Sequence, residues 1–344
     1  KLPLFATSRH SQRVSLPEDM AALLPQPVPD GALATLDEAG IRVGQGLRTG
    51  CNRFFYVSRT GESVDGLERV RTSCFGNQTI SVPSEVLRPV LHRQAEMGLV
   101  SKGSLPPVCV LDLRRWLLPE DSKIFSNTLS YKVMPNELAA YVRQAENEPL
   151  EAGNTEKRVP DLSAVRTNVR KPRHEKDTPR FWYMLPDFAS RHEPSVFVPR
   201  IIQDVPWVER NLQPRLLIDA NFSTLWTEGK GWSRYALKSL LNSVWCRAYM
   251  ECAGTLLGGG ALKLEATHLR FLPVPILDDL DKAKLHDAGQ KLTHERSEVL
   301  DEINRIVLSA VYRGRLQEKV ITALARALLT RSDERQSMRQ RKAS

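Results

Sequence analysis

The sequence Ile41-Arg-Val-Gly-Gln-Gly-Leu-Arg-Thr-Gly-Cys-Asn-Arg-Phe-Phe-Tyr-Val57 places three glycines, a Thr-Gly pair and an asparagine directly before aromatic and β-branched residues. The spacing of Gly44, Gly46 and Gly50 is similar to that of a dinucleotide-binding loop, but such a loop needs a following helix whose N-terminus faces the pyrophosphate. Here Phe54 to Val57 favours a strand instead. The segment is therefore predicted to be a turn that leads into a strand, and not a nucleotide loop.

Short strands and turns are predicted on both sides of a central helix. Asn136 is predicted to cap the N-terminus of this helix, which runs to about Glu146, because apolar residues recur there at helical spacing. The predicted strands are Phe54–Val57, Val108–Asp112, Phe181–Leu185, Val196–Ile202, Arg215–Asp219 and Asn221–Trp226. From Arg234 the apolar residues repeat every three or four positions, which predicts a helix with one buried face and with Asn242 and Ser243 on the margin of that face.

These patterns predict an α+β fold in which a strand-rich domain with a mixed sheet precedes a C-terminal helical segment. Residues 1–32 are predicted to be a linker, because Leu24-Pro-Gln-Pro-Val-Pro-Asp-Gly31 cannot form a helix or a central strand. Residues 33–276 form the predicted strand-rich domain, 277–331 the helical segment and 332–344 a flexible basic tail. The C-terminal helices are expected to pack on the rest of the chain or on a partner.

The composition favours a globular protein with an anionic partner. The formal net charge of +9 and the sequence pI of about 9.4 are compatible with nucleic acid binding. The five cysteines are odd in number and widely spaced, which predicts free thiols in a reducing cytoplasm rather than disulfides or a zinc site. No apolar run reaches the roughly 18 residues that a membrane-spanning helix needs, so no membrane partner is expected.

Nearly half of the excess positive charge lies in one stretch. Residues Arg166 to Arg180 contain six Lys or Arg against Glu175 and Asp177, which is a local net charge of +4. We interpret this stretch as a loop that lies along phosphates, where each cation would release a condensed counterion. The alternative is an ordinary solvated loop.

Six short motifs, taken in order, resemble the specificity region of N6-adenine DNA methyltransferases of the gamma type and of the related fused restriction-modification enzymes. They are the Gly-x-Gly-x-x-Thr-Gly-x-Asn turn at 44–52, Phe181-Trp-Tyr, Pro199-Arg-Ile-Ile, Leu240-Leu-Asn-Ser243, Gly258-Gly-Gly-Ala-Leu-Lys263 and Leu272-Pro-Val-Pro275. Together they extend over about residues 33–276. The resemblance implies a domain that recognises the target sequence in double-stranded DNA beside a methyltransferase catalytic domain.

The catalytic half of such an enzyme is not found in this sequence. Adenine methylation requires an Asn/Asp-Pro-Pro-aromatic motif that holds the flipped base, and the nearest match, Leu105-Pro-Pro-Val108, lacks both the amide and the aromatic ring. We therefore expect that this chain alone neither binds S-adenosylmethionine nor transfers a methyl group. The cofactor would be bound by the parent enzyme, in a catalytic domain upstream or in a separate subunit.

The candidate DNA contacts combine Lys and Arg side chains that are expected at the surface with polar groups that can form hydrogen bonds to base edges. Arginine and asparagine can make bidentate contacts to guanine and adenine, whereas lysines more often meet phosphate. The predicted contacts are Arg48, Thr49, Asn52, Arg170, Lys171, Arg173, Arg180, Trp182, Lys230, Trp232 and Lys263. Trp182 is either a base-stacking residue or part of the core. The turn before the first strand has a purely architectural alternative, with glycines at positive φ and Asn52 bonded to its own backbone.

Other chemistries are less well supported. The seven histidines show no metal-ligand spacing, so no metal site is predicted, and no nucleophile elbow is present. Two alternatives to DNA recognition remain. The chain could be an assembly subunit of a methyltransferase or phage-defence complex with only non-specific DNA binding. It could also be an enzyme in its own right, which would require S-adenosylmethionine binding.

Overall fold

The computed structural model describes residues 16–124, 131–150, 157–170, 180–229, 231–293 and 297–343. The fold is α+β, as predicted, and it divides into two compact units. We call Gly44–Phe197 with Glu209–Thr224 the sheet unit, and Lys1–Val43 with Val198–Val208 and Leu225–Ser344 the helical unit. The predicted domain at 33–276 contains residues of both units, since residues 33–43, 198–208 and 225–276 lie in the helical unit.

The described residues form strands of two to nine residues. They are β1 (Leu33–Thr35), β2 (Ile41–Gln45), β3 (Tyr56–Val64), β4 (Leu67–Arg71), β5 (Thr79–Pro83), β6 (Leu87–Leu91), β7 (Val108–Leu111), β8 (Trp116–Leu117), β9 (Lys132–Val133), β10 (Val196–Pro199), β11 (Ile201–Ile202), β12 (Glu209–Arg210), β13 (Leu217–Ile218), β14 (Phe222–Thr227), β15 (Thr255–Leu256), β16 (Leu262–Lys263) and β17 (Pro273–Pro275).

The same residues form helices that are concentrated toward the C-terminus. They are α1 (Glu18–Ala22), α2 (Asn52–Phe55), α3 (Met97–Ser101), α4 (Pro119–Ile124), α5 (Asn136–Asn147), α6 (Ser163–Arg166), α7 (Arg234–Asn242), α8 (Val244–Ala253), α9 (Ala266–Leu269), α10 (Asp279–Lys291), α11 (Ser297–Val311) and α12 (Glu318–Ala343). Within the described ranges, no helix is both long enough and apolar enough to cross a membrane.

The sheet unit is built on a mixed six-stranded sheet with the order β13-β6-β7-β3-β4-β5. Only the pairing of β13 with β6 is parallel, and the other neighbours are antiparallel. Helix α5 lies against this sheet, and its residue Glu137 accepts a hydrogen bond from the backbone N–H of Ser81 in β5 at 2.7 Å. The apolar face of α5, which includes Leu138 and Val142, is buried in the core of the unit.

Two predicted strands of the sheet unit differ in the structure. Strand β3 begins only at Tyr56, because residues 52–55 form the helical turn α2, in which Phe54 and Phe55 are both buried. Residues 181–185 form a turn and not a strand, closed by a hydrogen bond from the Met184 N–H to the Phe181 carbonyl oxygen at 3.0 Å. Their four consecutive buried side chains look like a strand in sequence, but the side chains pack into a core that surrounds the turn.

The predicted helix that begins at Arg234 is interrupted at Ser243. That residue has the extended angles φ −59° and ψ 152°, and its hydroxyl group accepts from the N–H of Cys246, which caps α8. The preceding Asn242 donates to the carbonyl oxygen of Val208 at 2.8 Å and accepts from the Val208 N–H at 2.9 Å. The two residues predicted on the margin of the apolar face are therefore fully buried. Their hydrogen bonds satisfy the backbone at the break.

The predicted linker and tail both belong to the helical unit where the structure describes them. Helix α1 precedes the proline-rich segment and buries Met20, while its Asp19 pairs with Arg331 of α12 at 3.1 Å. Helix α12 does not end near residue 331 but continues to Ala343. Arg335 anchors this part of the helix: it is 5% exposed and forms a bidentate pair with Glu251 of α8, at 2.6 and 3.0 Å. Arg335 also donates to the backbone carbonyl oxygens of Gln203, Asp204 and Gly260.

Replacing Arg335 with Ala is expected to lower the free energy of unfolding by about 3–5 kcal/mol, because a buried carboxylate would be left without its partner. Urea unfolding at neutral pH measures this effect. Arg331→Ala is the matched control, since it removes the same charge from the same helix at a more exposed pair with Asp19, where a loss of about 0–1 kcal/mol is expected. Equal losses in the two variants would contradict the anchoring role of Arg335.

The Arg335→Ala variant is also expected to depend on pH. Burial raises the pKa of Glu251, and Arg335 opposes that rise. Without Arg335 the folded state binds a proton on Glu251 more tightly than the unfolded state, whose carboxyl group titrates near its ordinary pKa of 4.5. The variant should therefore regain part of its lost stability as the pH falls from neutral toward 4.5. A stability difference from the unmodified protein that stays constant over this range would contradict the prediction.

Candidate nucleic-acid interface

The turn after β2 is held by direct contact between two backbone segments of the sheet unit. Leu47 donates its N–H to the carbonyl oxygen of Ile218 at 2.7 Å, and the carbonyl oxygen of Leu47 accepts from the Ala220 N–H at 2.9 Å. At the preceding residue, Gly46, an added Cβ atom would overlap the carbonyl oxygens of Ile218 and Asp219. The second glycine of the motif is therefore required by close backbone approach.

Asp219 connects this turn to the start of the sheet. Its carboxylate is buried and accepts hydrogen bonds from the Tyr56 hydroxyl group, from the Asn221 N–H at 2.7 Å and from Nδ2 of Asn52 at 3.4 Å. Burial, and secondly the negative charge of Asp219, raise the pKa of Tyr56 well above its ordinary value. The phenol thus remains a hydrogen-bond donor, and three separate segments share one carboxylate.

Within the turn, Thr49 and Asn52 are bonded to each other. The Thr49 hydroxyl group donates to Oδ1 of Asn52 at 2.6 Å and accepts from the Cys51 N–H at 3.2 Å. Thr49 is only 1% exposed, whereas Asn52 and the neighbouring Arg48 are exposed. The turn therefore presents the guanidinium group of Arg48 and the amide group of Asn52 to solvent on a rigid support. Thr49 is buried and holds the side chain of Asn52 by its hydrogen bond.

A second glycine brings the turn against the base of the basic loop. Gly50 has a φ of +83°, and a Cβ atom at this position would lie 3.0 Å from the backbone of Ala164 in α6. Helix α6 ends at Arg166, where the positively charged stretch begins. The structure thus places two predicted groups of contacts, the turn and the start of the loop, side by side in the sheet unit.

Arg170 and Arg180, two of the predicted contacts in the basic stretch, are described and are bonded to each other. Arg170 and Arg180 form an antiparallel bridge with N–O distances of 2.9 and 3.1 Å, and the Arg180 guanidinium group also donates to the carbonyl oxygen of Asn168. The side chains of Arg166 and Arg170 are exposed, and Arg166 lies 3.6 Å from the carboxylate of Asp161. Lys171 and Arg173 lie outside the described residues.

Trp182 lies in the core of the sheet unit. It is 7% exposed, its ring centroid is 5.0 Å from that of Phe54, and its indole N–H donates to Glu146 at 2.8 Å. Phe54 in turn stacks on Tyr141, with the two ring centroids 5.0 Å apart. The ring of Trp182 therefore supports α2, which follows the turn, and is buried among core side chains.

The remaining predicted contacts belong to the helical unit. Trp232 donates its indole N–H to the carbonyl oxygen of Ala39 at 2.9 Å, and the ammonium group of Lys282 lies 5.5 Å from its ring centroid. Lys263 is partly exposed and lies 3.2 Å from the carboxylate of Glu265. Lys230 lies outside the described residues.

Sequence reasoning missed Asp219 and Tyr56, the two residues that hold the turn. The available signal was weak, since Asp219 stands at the end of a predicted strand and Tyr56 looks like an ordinary strand aromatic. The resulting arrangement suits binding, because it presents fixed donors rather than an acid–base pair. In the chain as described, no three His, Cys, Asp or Glu side chains are grouped so that they could hold a metal ion.

Comparisons with known proteins give matches among solved structures only. No protein-family model matches the chain, and no curated protein matches it. Among solved structures, the chain is similar to the type IIG restriction endonuclease BpuSI, with 15% sequence identity and a TM-score of 0.49. The similarity covers 94% of this chain and 32% of that one, so the chain spans about a third of the length of BpuSI.

The close approach at Gly46 predicts a difference between two glycine substitutions in the sheet unit. Gly46→Ala should lower the free energy of unfolding by about 1–3 kcal/mol, because the added methyl group meets backbone that cannot move independently. Gly98→Ala, in the exposed part of α3 where an added Cβ meets nothing, should be neutral or stabilising by up to about 1 kcal/mol. Urea unfolding of both variants tests this, and a harmless Gly46→Ala would contradict the described contact.

Proposed function

We propose that this chain binds double-stranded DNA and recognises its sequence through the sheet unit. The observation that carries the proposal is the turn fixed by Asp219, which presents Arg48 and Asn52 beside the base of the basic loop. DNA recognition needs cations that position the duplex and polar groups that read base edges, and both types of group occur here on a rigid support.

The charge distribution supports contact with phosphates. Arg48 is exposed and, in the part of the chain that the structure describes, makes no hydrogen bond or ion pair. Arg166 and Arg170 are exposed at the start of a stretch whose net charge is +4. Arg180 has a different role, since its guanidinium group donates to the backbone carbonyl oxygens of Thr167 and Asn168. We assign phosphate contact to the first three arginines.

We further propose that the chain is the target-recognition module of an adenine-N6 DNA methyltransferase of a restriction-modification or phage-defence system. Support comes from the order of the six sequence motifs. The glycine motif of this chain has a structural reason of its own, because a Cβ atom on Gly46 would overlap the backbone of Asp219, and the sequence lacks the Asn/Asp-Pro-Pro-aromatic motif. The cofactor and the methyl transfer are therefore assigned to a catalytic domain that is fused to this chain or supplied by another subunit.

The salt dependence of DNA binding tests the proposed phosphate contacts. Arg48→Ala and Arg170→Ala should each reduce the slope of log Kobs against log salt by about 0.9, the value for one phosphate contact on duplex DNA. Arg305→Ala in α11 is the matched control, because it removes the same charge from an exposed position in the helical unit. Its slope should remain that of the unmodified protein.

The outcome also distinguishes the assembly alternative. If all three variants bind DNA with the same slope as the unmodified protein, the turn and the loop are not part of the footprint. If the unmodified protein shows no DNA binding in low salt, the proposal of a DNA-recognition module fails and assembly becomes the better explanation. Calorimetric titration of the chain with S-adenosylmethionine should give no binding heat.

A further inference from the structure

The amide group of Asn52 has one defined orientation. The hydroxyl group of Thr49 bonds to one atom of the amide at 2.6 Å, and because a hydroxyl group can donate or accept, this bond alone does not fix the orientation. The carboxylate of Asp219 can only accept, so the atom that faces it at 3.4 Å must be the amide nitrogen. The contact with Asp219 thus sets the orientation and turns the amide oxygen toward the donating hydroxyl group of Thr49, although Asn52 itself is exposed.

The two bonds leave a specific hydrogen-bonding capacity on the exposed side chain. An asparagine amide has two N–H donors and two oxygen lone pairs. Thr49 uses one lone pair and Asp219 one N–H, so, among the described residues, one donor and one acceptor remain for a ligand. A phosphate group has only acceptors and would use the donor alone. The major-groove edge of guanine also offers only acceptors, N7 and O6, and would leave the amide acceptor unused. Adenine offers an acceptor at N7 and a donor at N6, which complements the pair.

We propose that Asn52 reads an adenine in the major groove of the bound duplex, and that Thr49 and Asp219 are positioning residues for this contact. The inference rests on the proposed DNA-binding function and names the residue that determines specificity. Exchange of the amide oxygen and nitrogen by rotation would present the wrong pattern to adenine. The fixed orientation excludes that exchange, and it lowers the entropy cost of ordering the side chain on binding.

The geometry of the support explains why this position is suited to readout. Asp219 is held by the Tyr56 hydroxyl group and by the Asn221 N–H, so its carboxylate is fixed before DNA arrives. Thr49 is buried and its oxygen accepts from the Cys51 N–H, which directs its proton toward Asn52. The exposed Arg48 directly precedes Thr49 in the chain, and it supplies a nearby charge for the backbone of the same duplex.

Selection of bound duplexes from a randomised DNA pool at about 0.1 M salt tests the proposal, because loose electrostatic binding is partly screened there. The unmodified protein should enrich a motif with adenine at one column. Asn52→Ala should reduce the preference for adenine at that column alone by about 5- to 150-fold, the range for one bidentate base contact. Its salt slope should stay unchanged. Asn147→Ala, an exposed asparagine in α5 of the same unit, should select the original motif.

Two substitutions at Thr49 separate positioning from folding. Thr49→Val removes the hydroxyl donor and should weaken the preference for adenine at the same column. Thr49→Ser restores the donor and should recover that preference. If Thr49→Val unfolds, as judged from its thermal midpoint, the comparison of Asn52→Ala with Asn147→Ala still decides the role of Asn52, because Asn52 is exposed.

Each contrary outcome has a distinct meaning. An unchanged motif in Asn52→Ala would overturn the inference and leave the proposed function standing. Uniformly weaker binding with a smaller salt slope would identify Asn52 as a phosphate contact and would also overturn it. Retention of DNA without enrichment, or no retention, by the unmodified protein would overturn the proposed sequence recognition itself.

Discussion

The buried carboxylate of Asp219 is the interaction on which the candidate interface depends. It accepts hydrogen bonds from the Tyr56 hydroxyl group, the Asn221 backbone N–H and the Asn52 amide N–H. The backbone of Asp219 also fills the space beside Gly46. A charged group away from water is tolerated only when donors surround it, so these segments are constrained together. The consequence is a surface turn that has the rigidity of the sheet beneath it.

The helical unit uses buried polar groups in a similar way. Asn242 and Ser243 satisfy backbone groups where α7 ends and α8 begins, and Arg335 pairs with Glu251 while it donates to three carbonyl oxygens. An apolar contact would permit many relative positions of these elements, whereas directional hydrogen bonds permit few. We therefore attribute the defined ends of α7 and the fixed path of α12 to these groups.

The sequence located the candidate interface better than it assigned roles within it. The turn and the basic loop were identified from glycine spacing and charge, and the structure brings Gly50 of the turn against Ala164 at the base of the loop. Thr49 was predicted to contact DNA but is buried, and Trp182 packs in the core. Glycine spacing and charge are local properties of a sequence, whereas the burial of a side chain depends on what other segments cover it.

The sequence by itself determined the α+β class, the mixture of strands with a helical C-terminus, and the position of the glycine turn, because apolar periodicity and turn chemistry act over a few neighbouring residues. Only the tertiary structure decided that residues 181–185 turn, that a helix stops at Ser243, and that Asn52 is bound by Asp219. The last pair is separated by 167 positions in the chain. A hydrogen bond over such a separation exists only when the fold closes it, so no local pattern contains it.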